Sequence, residues 1–287
     1  RAIRGRTDRF YTKGKTRDCG NVQLRHQKQW GKVGVKAAME GDFSSYGFTP
    51  LWNAGLSWDV SDFWTLDLLG AKTMRLPTFT DLYYTAIGYI GDPNLKPELA
   101  YKAGAEYRKN GFAFSADAFY RHGTNVIDWV RADAMSDWMS SQITAVNTLG
   151  ADITAKYSFK GGVLKSLTAM VRCIDMDKSS EGMISRYALD YMKLKASVIA
   201  DFSFGKHWSL SANASYYDRE GNYSSASGET MTYRPYALVN ANVSYETGSF
   251  KFYVDIDNAT STEYFDYGGL PMPGLWAMGG VVVTLRK

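Results

Sequence analysis

Apolar and polar residues alternate with a period of two along most of this chain, in runs of roughly 9–14 residues, and that period belongs to extended strands. The stretch 51–60 shows the rule. Trp52, Ala54, Leu56, Trp58 and Val60 fall on one face, and Asn53, Gly55, Ser57 and Asp59 on the other. The same alternation predicts strands over 32–40, 63–73, 98–108, 112–121, 150–159, 165–175, 189–202, 207–217, 235–246, 250–257 and 275–285. A weaker stretch at 21–29, where His26 and Lys28 interrupt the face begun by Val22 and Leu24, brings the expected number to thirteen.

Three features of these strands select a fold class. Their length is the first: ten residues at ~3.4 Å each, tilted by about 45°, rise ~24 Å, close to the ~25 Å apolar band of an outer-membrane barrel. The polar face is the second. Lys193, Lys195 and Asp201 share one strand face, and burying them dry would be expensive, whereas a wet lumen accommodates them. The opposite face carries Ala and Val in the middle and Trp, Tyr or Phe at the ends, the pattern of an aromatic girdle. The third is loop sorting. Short turns are expected near 30, 61, 110 (Lys109-Asn110-Gly111), 161, 204 and 248, and long loops near 45 (Gly41–Pro50), 86, 134, 181, 226 and 266. Strict alternation of short and long connections is a barrel habit. The fold expected is all-β, a transmembrane antiparallel β-barrel. A soluble β-sandwich also alternates, but it would not sort its loops by length. Heat-dependent gel mobility in detergent separates the two. Thirteen is odd, and single-chain barrels usually have an even number of strands, so further strands are expected upstream.

Composition excludes other classes. No run of 18 apolar residues exists, so no transmembrane helix is expected, and the start carries no signal-peptide pattern. A net charge of +4 is too mild for nucleic acid. Residues 1–20 carry Arg1, Arg4, Arg6, Arg9, Lys13, Lys15 and Arg17. They read as a basic loop or frayed end, or else as an anion-binding patch, ahead of a barrel domain over 21–287. Cys19 and Cys173 give no disulfide framework. His26, His122 and His207 lack metal-ligand spacing, and no Ser/His/Asp constellation converges. No metal, cofactor or catalytic residue is therefore assigned.

The stretch Arg75–Glu98 breaks the alternation. Pro77, Pro93 and Pro97 each lack the N–H that a sheet ladder needs, and Asp92-Pro93-Asn94 is turn chemistry. A long aromatic-rich loop is expected, with its prolines fixing strand exit and return. Its middle, Leu82 to Ile90, is the part expected to reach a ligand.

Arg75-Leu-Pro-Thr-Phe-Thr-Asp-Leu-Tyr-Tyr84, followed by Gly91-Asp-Pro-Asn-Leu-Lys-Pro-Glu98, resembles TonB-dependent outer-membrane receptors, in which such proline motifs flank an outer loop. The tail from Asp257-Asn258 through Tyr264-Phe265-Asp266-Tyr267-Gly268 to Pro273-Gly274-Leu275-Trp276 is similar to the family's last outer loop. Asp92 stands where the family usually has Asn, and Leu275 where it has Arg. The chain ends on Leu285-Arg286-Lys287, not on an aromatic. The resemblance covers essentially the whole chain. It implies the C-terminal ~13 strands of a barrel of about 22, with a plug domain, a TonB box and about nine strands preceding.

The resemblance further implies a receptor for energy-coupled import of a scarce, large small-molecule nutrient across the outer membrane of a Gram-negative bacterium. The segment is nearest in flavour to cobalamin receptors, so a cobalamin-type corrinoid or an iron-siderophore is the expected ligand. The implied partners are outer-membrane lipid, the TonB–ExbB–ExbD complex through the N-terminal part, and a surface lipoprotein. A passive porin is the alternative. Aromatic side chains give large contact area at low entropy cost, which makes Tyr83, Tyr84, Tyr89, Trp129, Trp138, Tyr217, Tyr223 and Tyr233 the candidate ligand contacts.

Overall fold

The computed structural model describes residues 15–109, 112–133, 135–178, 183–185, 191–225, 229–266 and 269–284. The expected hairpin tip at Asn110-Gly111, most of the basic run, Tyr267-Gly268 and the last three residues lie outside the described residues. In chain order the elements are β1 (Gly20–Trp30), β2 (Val33–Ser44), β3 (Gly47–Ser61), β4 (Trp64–Arg75), α1 (Phe79–Tyr83), β5 (Thr85–Ala86), β6 (Tyr89–Ile90), β7 (Glu98–Lys109), β8 (Ala113–Arg131), β9 (Trp138–Ser158) and β10 (Leu164–Lys178). There follow β11 (Ile184–Ser185), β12 (Tyr191–Phe204), β13 (Trp208–Glu220), β14 (Asn222–Ser224), β15 (Thr230–Thr232), β16 (Tyr236–Thr247), β17 (Phe250–Asp257), β18 (Phe265–Asp266), β19 (Leu270–Pro271) and β20 (Trp276–Val283). Thirteen of these strands are long, as the alternation predicts, and seven are two- or three-residue pairs in the connections.

The chain forms two compact units. The first comprises the described residues within Arg1–Tyr107, Asp117–Gly150 and Asp175–Asp190. In it β1, β2, β3, β4 and β7 are successive neighbours, and the upper parts of β8 and β9 continue the sheet. The β1–β2 ladder runs from Gly20↔Phe43 to Trp30↔Val33, and Gly31 takes φ 55° in the turn between them. β8 and β9 are 19 and 21 residues long, well beyond the bilayer requirement, so the segments 126–130 and 142–146 extend these strands where a long loop was expected near 134.

The second unit comprises the described residues within Arg108–Ala116, Ala151–Ile174 and Tyr191–Lys287. Here β10, β12, β13, β16, β17 and β20 are successive antiparallel neighbours. The register is close to unbroken: Val198 faces Ala214, which faces Val239.

Polarity is inverted relative to a water-soluble sheet. In the second unit Val198, Val239, Phe252, Val254 and Val281 are exposed, whereas Ser166, Ser197, Ser215 and Ser244 are buried on the other face. That buried face is hydrogen-bonded. Ser166 and Ser211 donate to Asp201 at 2.6 and 2.8 Å, Ser197 and Ser215 meet at 2.8 Å, and Asn242 donates to Asp255 at 2.5 Å. An apolar outer face suits hydrocarbon, and a satisfied polar inner face suits a hydrated lumen.

One loop expectation is overturned. Gly41–Pro50 is not a long loop: β2 and β3 continue through it and turn at Ser45-Tyr46, with Gly41 opposite Pro50 and Phe43 opposite Phe48. The two rings pack at 5.0 Å. Pro50 is tolerated because the β3–β4 ladder begins only at Trp52↔Lys72, so the missing N–H removes no bond on that side.

Candidate functional site

The proline-rich connection runs from the end of β4 to the start of β7. Its two ends are tied by charge. Arg75 at the end of β4 donates to Glu98 at 2.9 Å and to Asp81 at 3.2 Å, and Arg121 on β8 reaches Glu98 at 3.4 Å. Thr78 and Asp81 form a capping box that starts α1: the Asp81 amide donates to the Thr78 hydroxyl, and the Thr78 amide to the Asp81 carboxylate. The Arg-Leu-Pro and Lys-Pro-Glu motifs therefore meet in space through Arg75 and Glu98, and Pro77 is fully buried.

Packing fixes the rest of the connection. Leu82 and Leu95 bury against Ile127 of β8, with Tyr83 alongside. Burial of such side chains contributes about 1.5–3 kcal/mol each. The Ser140 hydroxyl of β9 donates to the Asp81 carbonyl at 2.6 Å and accepts from the Asp92 amide at 2.6 Å. Gly91 lies so close that an added Cβ would sit 3.0 Å from the backbone of Asp81, Leu82 and Tyr83. β6 then pairs in parallel with the start of β9, Tyr89 beside Trp138. The long aromatic-rich loop expected from the sequence contains a capped helical turn and a small hairpin. Leu82, 3% exposed, belongs to the platform and is removed from the ligand-facing segment.

Five of the eight candidate aromatics lie in the first unit. Tyr84, Tyr89 and Trp129 form one edge-to-face cluster, with centroids 5.8–6.3 Å apart. Trp129 is 7% exposed and anchors it. Tyr83 turns away, stacking on Phe79 at 6.2 Å with the Lys15 ammonium 4.6 Å from its ring. Trp138 carries the Arg131 guanidinium at 4.5 Å. Arg17 also lies over Phe79, at 5.1 Å, so these two residues of the basic run meet aromatic faces.

The other three lie in the second unit, with partners that sequence reasoning missed. Tyr217 stacks on Tyr236 at 5.0 Å, and Tyr236 on Tyr264 at 4.5 Å. Tyr217 shares the face of Ser215, and Tyr236 that of Ser244, so both point to the polar side. Tyr223 contacts Tyr233 at 5.0 Å and Phe265 at 5.2 Å. Arg219 pairs with Asp266 at 2.7 Å and stacks on buried Tyr233. Tyr223, Tyr236, Tyr264 and Phe265 wall a cavity of ≈ 570 Å³. Burial first, and then the Asp266 carboxylate, push the Tyr264 phenol above its ordinary value, so it stays protonated. In the sequence Tyr236 carries only the period of a strand, and Tyr264-Phe265 belong to a motif that marks the family, so neither signals the contact. Among the described residues no group of three or more His, Cys, Asp and Glu could hold a metal ion.

Long antiparallel strands with an apolar exposed face, a hydrogen-bonded polar face and aromatic groups on the long connections define the wall of a transmembrane β-barrel. Residues 10–259 match the TonB dependent receptor-like β-barrel family, and the chain belongs to that family. It is 27% identical over 226 residues to the vitamin B12 transporter BtuB of Vibrio vulnificus (strain YJ016), covering 78% of this chain and 34% of that protein. The fold is similar to the siderophore receptor PirA from Pseudomonas aeruginosa, with TM-score 0.72 and 12% identity over 97% of this chain and 49% of PirA. It is similar also to the copper transporter OprC, with TM-score 0.74 and 13% identity over 93% of this chain and 47% of OprC. The chain thus spans about a third of the curated relative and just under half of these solved structures.

Proposed function

We propose that this chain is the barrel portion of an outer-membrane receptor of a Gram-negative bacterium that imports a scarce, large nutrient by TonB-dependent, energy-coupled transport. The observation that carries this reading is the placement of the aromatic groups. The Tyr84–Tyr89–Trp129 cluster, anchored by buried Trp129, and the Tyr217–Tyr236–Tyr264 stack both lie in the long connections or at the strand ends that lead into them. Rigid aromatic surfaces at a barrel mouth suit capture of a large ligand from dilute solution, for which a passive porin has no use. Family membership supports coupling to TonB–ExbB–ExbD through the N-terminal part of the whole protein. A cobalamin-type corrinoid is favoured by the sequence relationship to a vitamin B12 transporter, with an iron-siderophore as the second candidate. A surface lipoprotein that hands over the ligand is compatible with the loop architecture.

The test is uptake of labelled cobalamin and of labelled ferric siderophores by cells expressing the full-length protein. Accumulation of one ligand is expected, abolished by deletion of TonB or by a protonophore. Uptake that survives both treatments, together with ion conductance in planar bilayers, would establish the porin and end this proposal.

A further inference from the structure

The second unit's cavity has a composition that names a ligand chemistry. We infer that it is a subsite for a neutral, planar heteroaromatic group whose edge carries both a hydrogen-bond donor and an acceptor. This rests on the receptor reading above and makes it more specific.

The walls are two stacked ring pairs, Tyr236 on Tyr264 at 4.5 Å and Tyr223 on Phe265 at 5.2 Å. Pairs packed in this way hold each other's orientation, so they offer flat surfaces without first having to be ordered. The volume, ≈ 570 Å³, lies within the range of ~300–1,000 Å³ of small-molecule sites. It accommodates a fused ring system and leaves room for substituents. Flat π-surfaces select a flat ligand, through offset or edge contacts.

Charge selects further. Arg234 and Glu263 both line the cavity and both are exposed. Behind the wall, Arg219 and Asp266 neutralise each other at 2.7 Å. The site therefore has no net charge of its own. A bound anion would meet Glu263 as well as Arg234, and a bound cation Arg234 as well as Glu263, so the lining favours neither sign of charge. A neutral edge with an acceptor for the guanidinium and a donor for the carboxylate satisfies both at once. Gly269 permits the close packing. It takes φ 72°, and an added Cβ would lie 2.3 Å from the Tyr223 ring. Its amide also donates to the Tyr233 hydroxyl at 3.3 Å, which ties the last long connection to the one before it.

The probe is lumichrome, a neutral fluorescent tricycle with donors and acceptors on its edge. The assay is fluorescence titration against the full-length protein in lipid nanodiscs, with empty nanodiscs subtracted. Saturable quenching is expected. Tyr264→Leu should weaken it about tenfold. Arg234→Gln and Glu263→Gln, both at exposed positions that leave the stacks intact, should each weaken it at least about threefold. 2-Naphthoate and the cation proflavine should bind at least tenfold more weakly than lumichrome. Absence of saturable binding, equal binding of the charged probes, or indifference to all three substitutions each overturns the inference. If lumichrome fails while nutrient uptake remains TonB-dependent, the subsite alone is lost; if uptake itself is not energised, the receptor reading is lost.

Discussion

Replacing Glu98 with Ala tests how the proline-rich connection is held. The Glu98 side chain is 8% exposed and accepts from Arg75 at 2.9 Å and Arg121 at 3.4 Å. A hydrogen bond to a charged group contributes ~1.5–3 kcal/mol when buried. Arg75 and Arg121 are 49% and 34% exposed, so water compensates each of them in part, and the longer contact is the weaker. About 2 kcal/mol of local stability should be lost, which is roughly a 30-fold increase in opening. Glu98→Gln retains an acceptor for Arg75 and should lose about half as much. The assay is amide hydrogen exchange on the protein in nanodiscs. The reporters are Leu82, whose amide donates to Thr78 O, and Tyr84, whose amide donates to Thr80 O. Both should exchange faster, while amides of β12 and β13 should not change, because the bonds of this network join β4, α1, β7 and β8. Unchanged exchange at Leu82 and Tyr84 would refute the clamp. Acceleration spread evenly over the sheet would refute its local character.

Gly91→Ala should accelerate the same two amides at least as strongly, since the added methyl meets three backbone atoms at 3.0 Å and backbone cannot step aside cheaply; normal exchange in that variant would mean the connection is looser than its packing implies. Val198→Arg places a charge on the exposed apolar face of β12, and refolding into lipid should lose about 2–4 kcal/mol if that face meets hydrocarbon. A change within about 0.5 kcal/mol, as for an ordinary water-exposed site, would contradict a membrane face. Trp129→Ala removes two edge contacts worth about 0.5–1.5 kcal/mol each, so affinity for the transported nutrient should fall about 5- to 160-fold while Trp129→Phe retains most of it. Equal affinity in all three proteins, measured by titration calorimetry, would free the first cluster from any part in capture.

How much of this was readable from the chain depends on what each residue needs from its surroundings. Strand identity needs only the period of two. Val198 and Ser197 announce opposite faces by their chemistry alone, and the structure exposes the first at 47% and buries the second at 4%. Turn position needs more. Gly41, Ser44, Ser45 and Pro50 carry loop composition, yet the strands continue, because Phe43 and Phe48 gain a cross-strand contact and Pro50 lies beyond the β3–β4 ladder. Local composition could not reveal that, since the deciding fact is where a different strand ends. The site needs most of all. Trp129 and Tyr84 are 45 positions apart and become neighbours only when β8 outlasts the bilayer requirement and α1 turns the connection back over it. Tyr236 reads as a strand residue until Tyr264, from another connection, stacks on it. Resemblance located the proline motifs correctly, but only the pairing of Arg75 with Glu98 explains why the two halves belong together: one charge clamp closes a connection of more than twenty residues, and the aromatic cluster is presented from it.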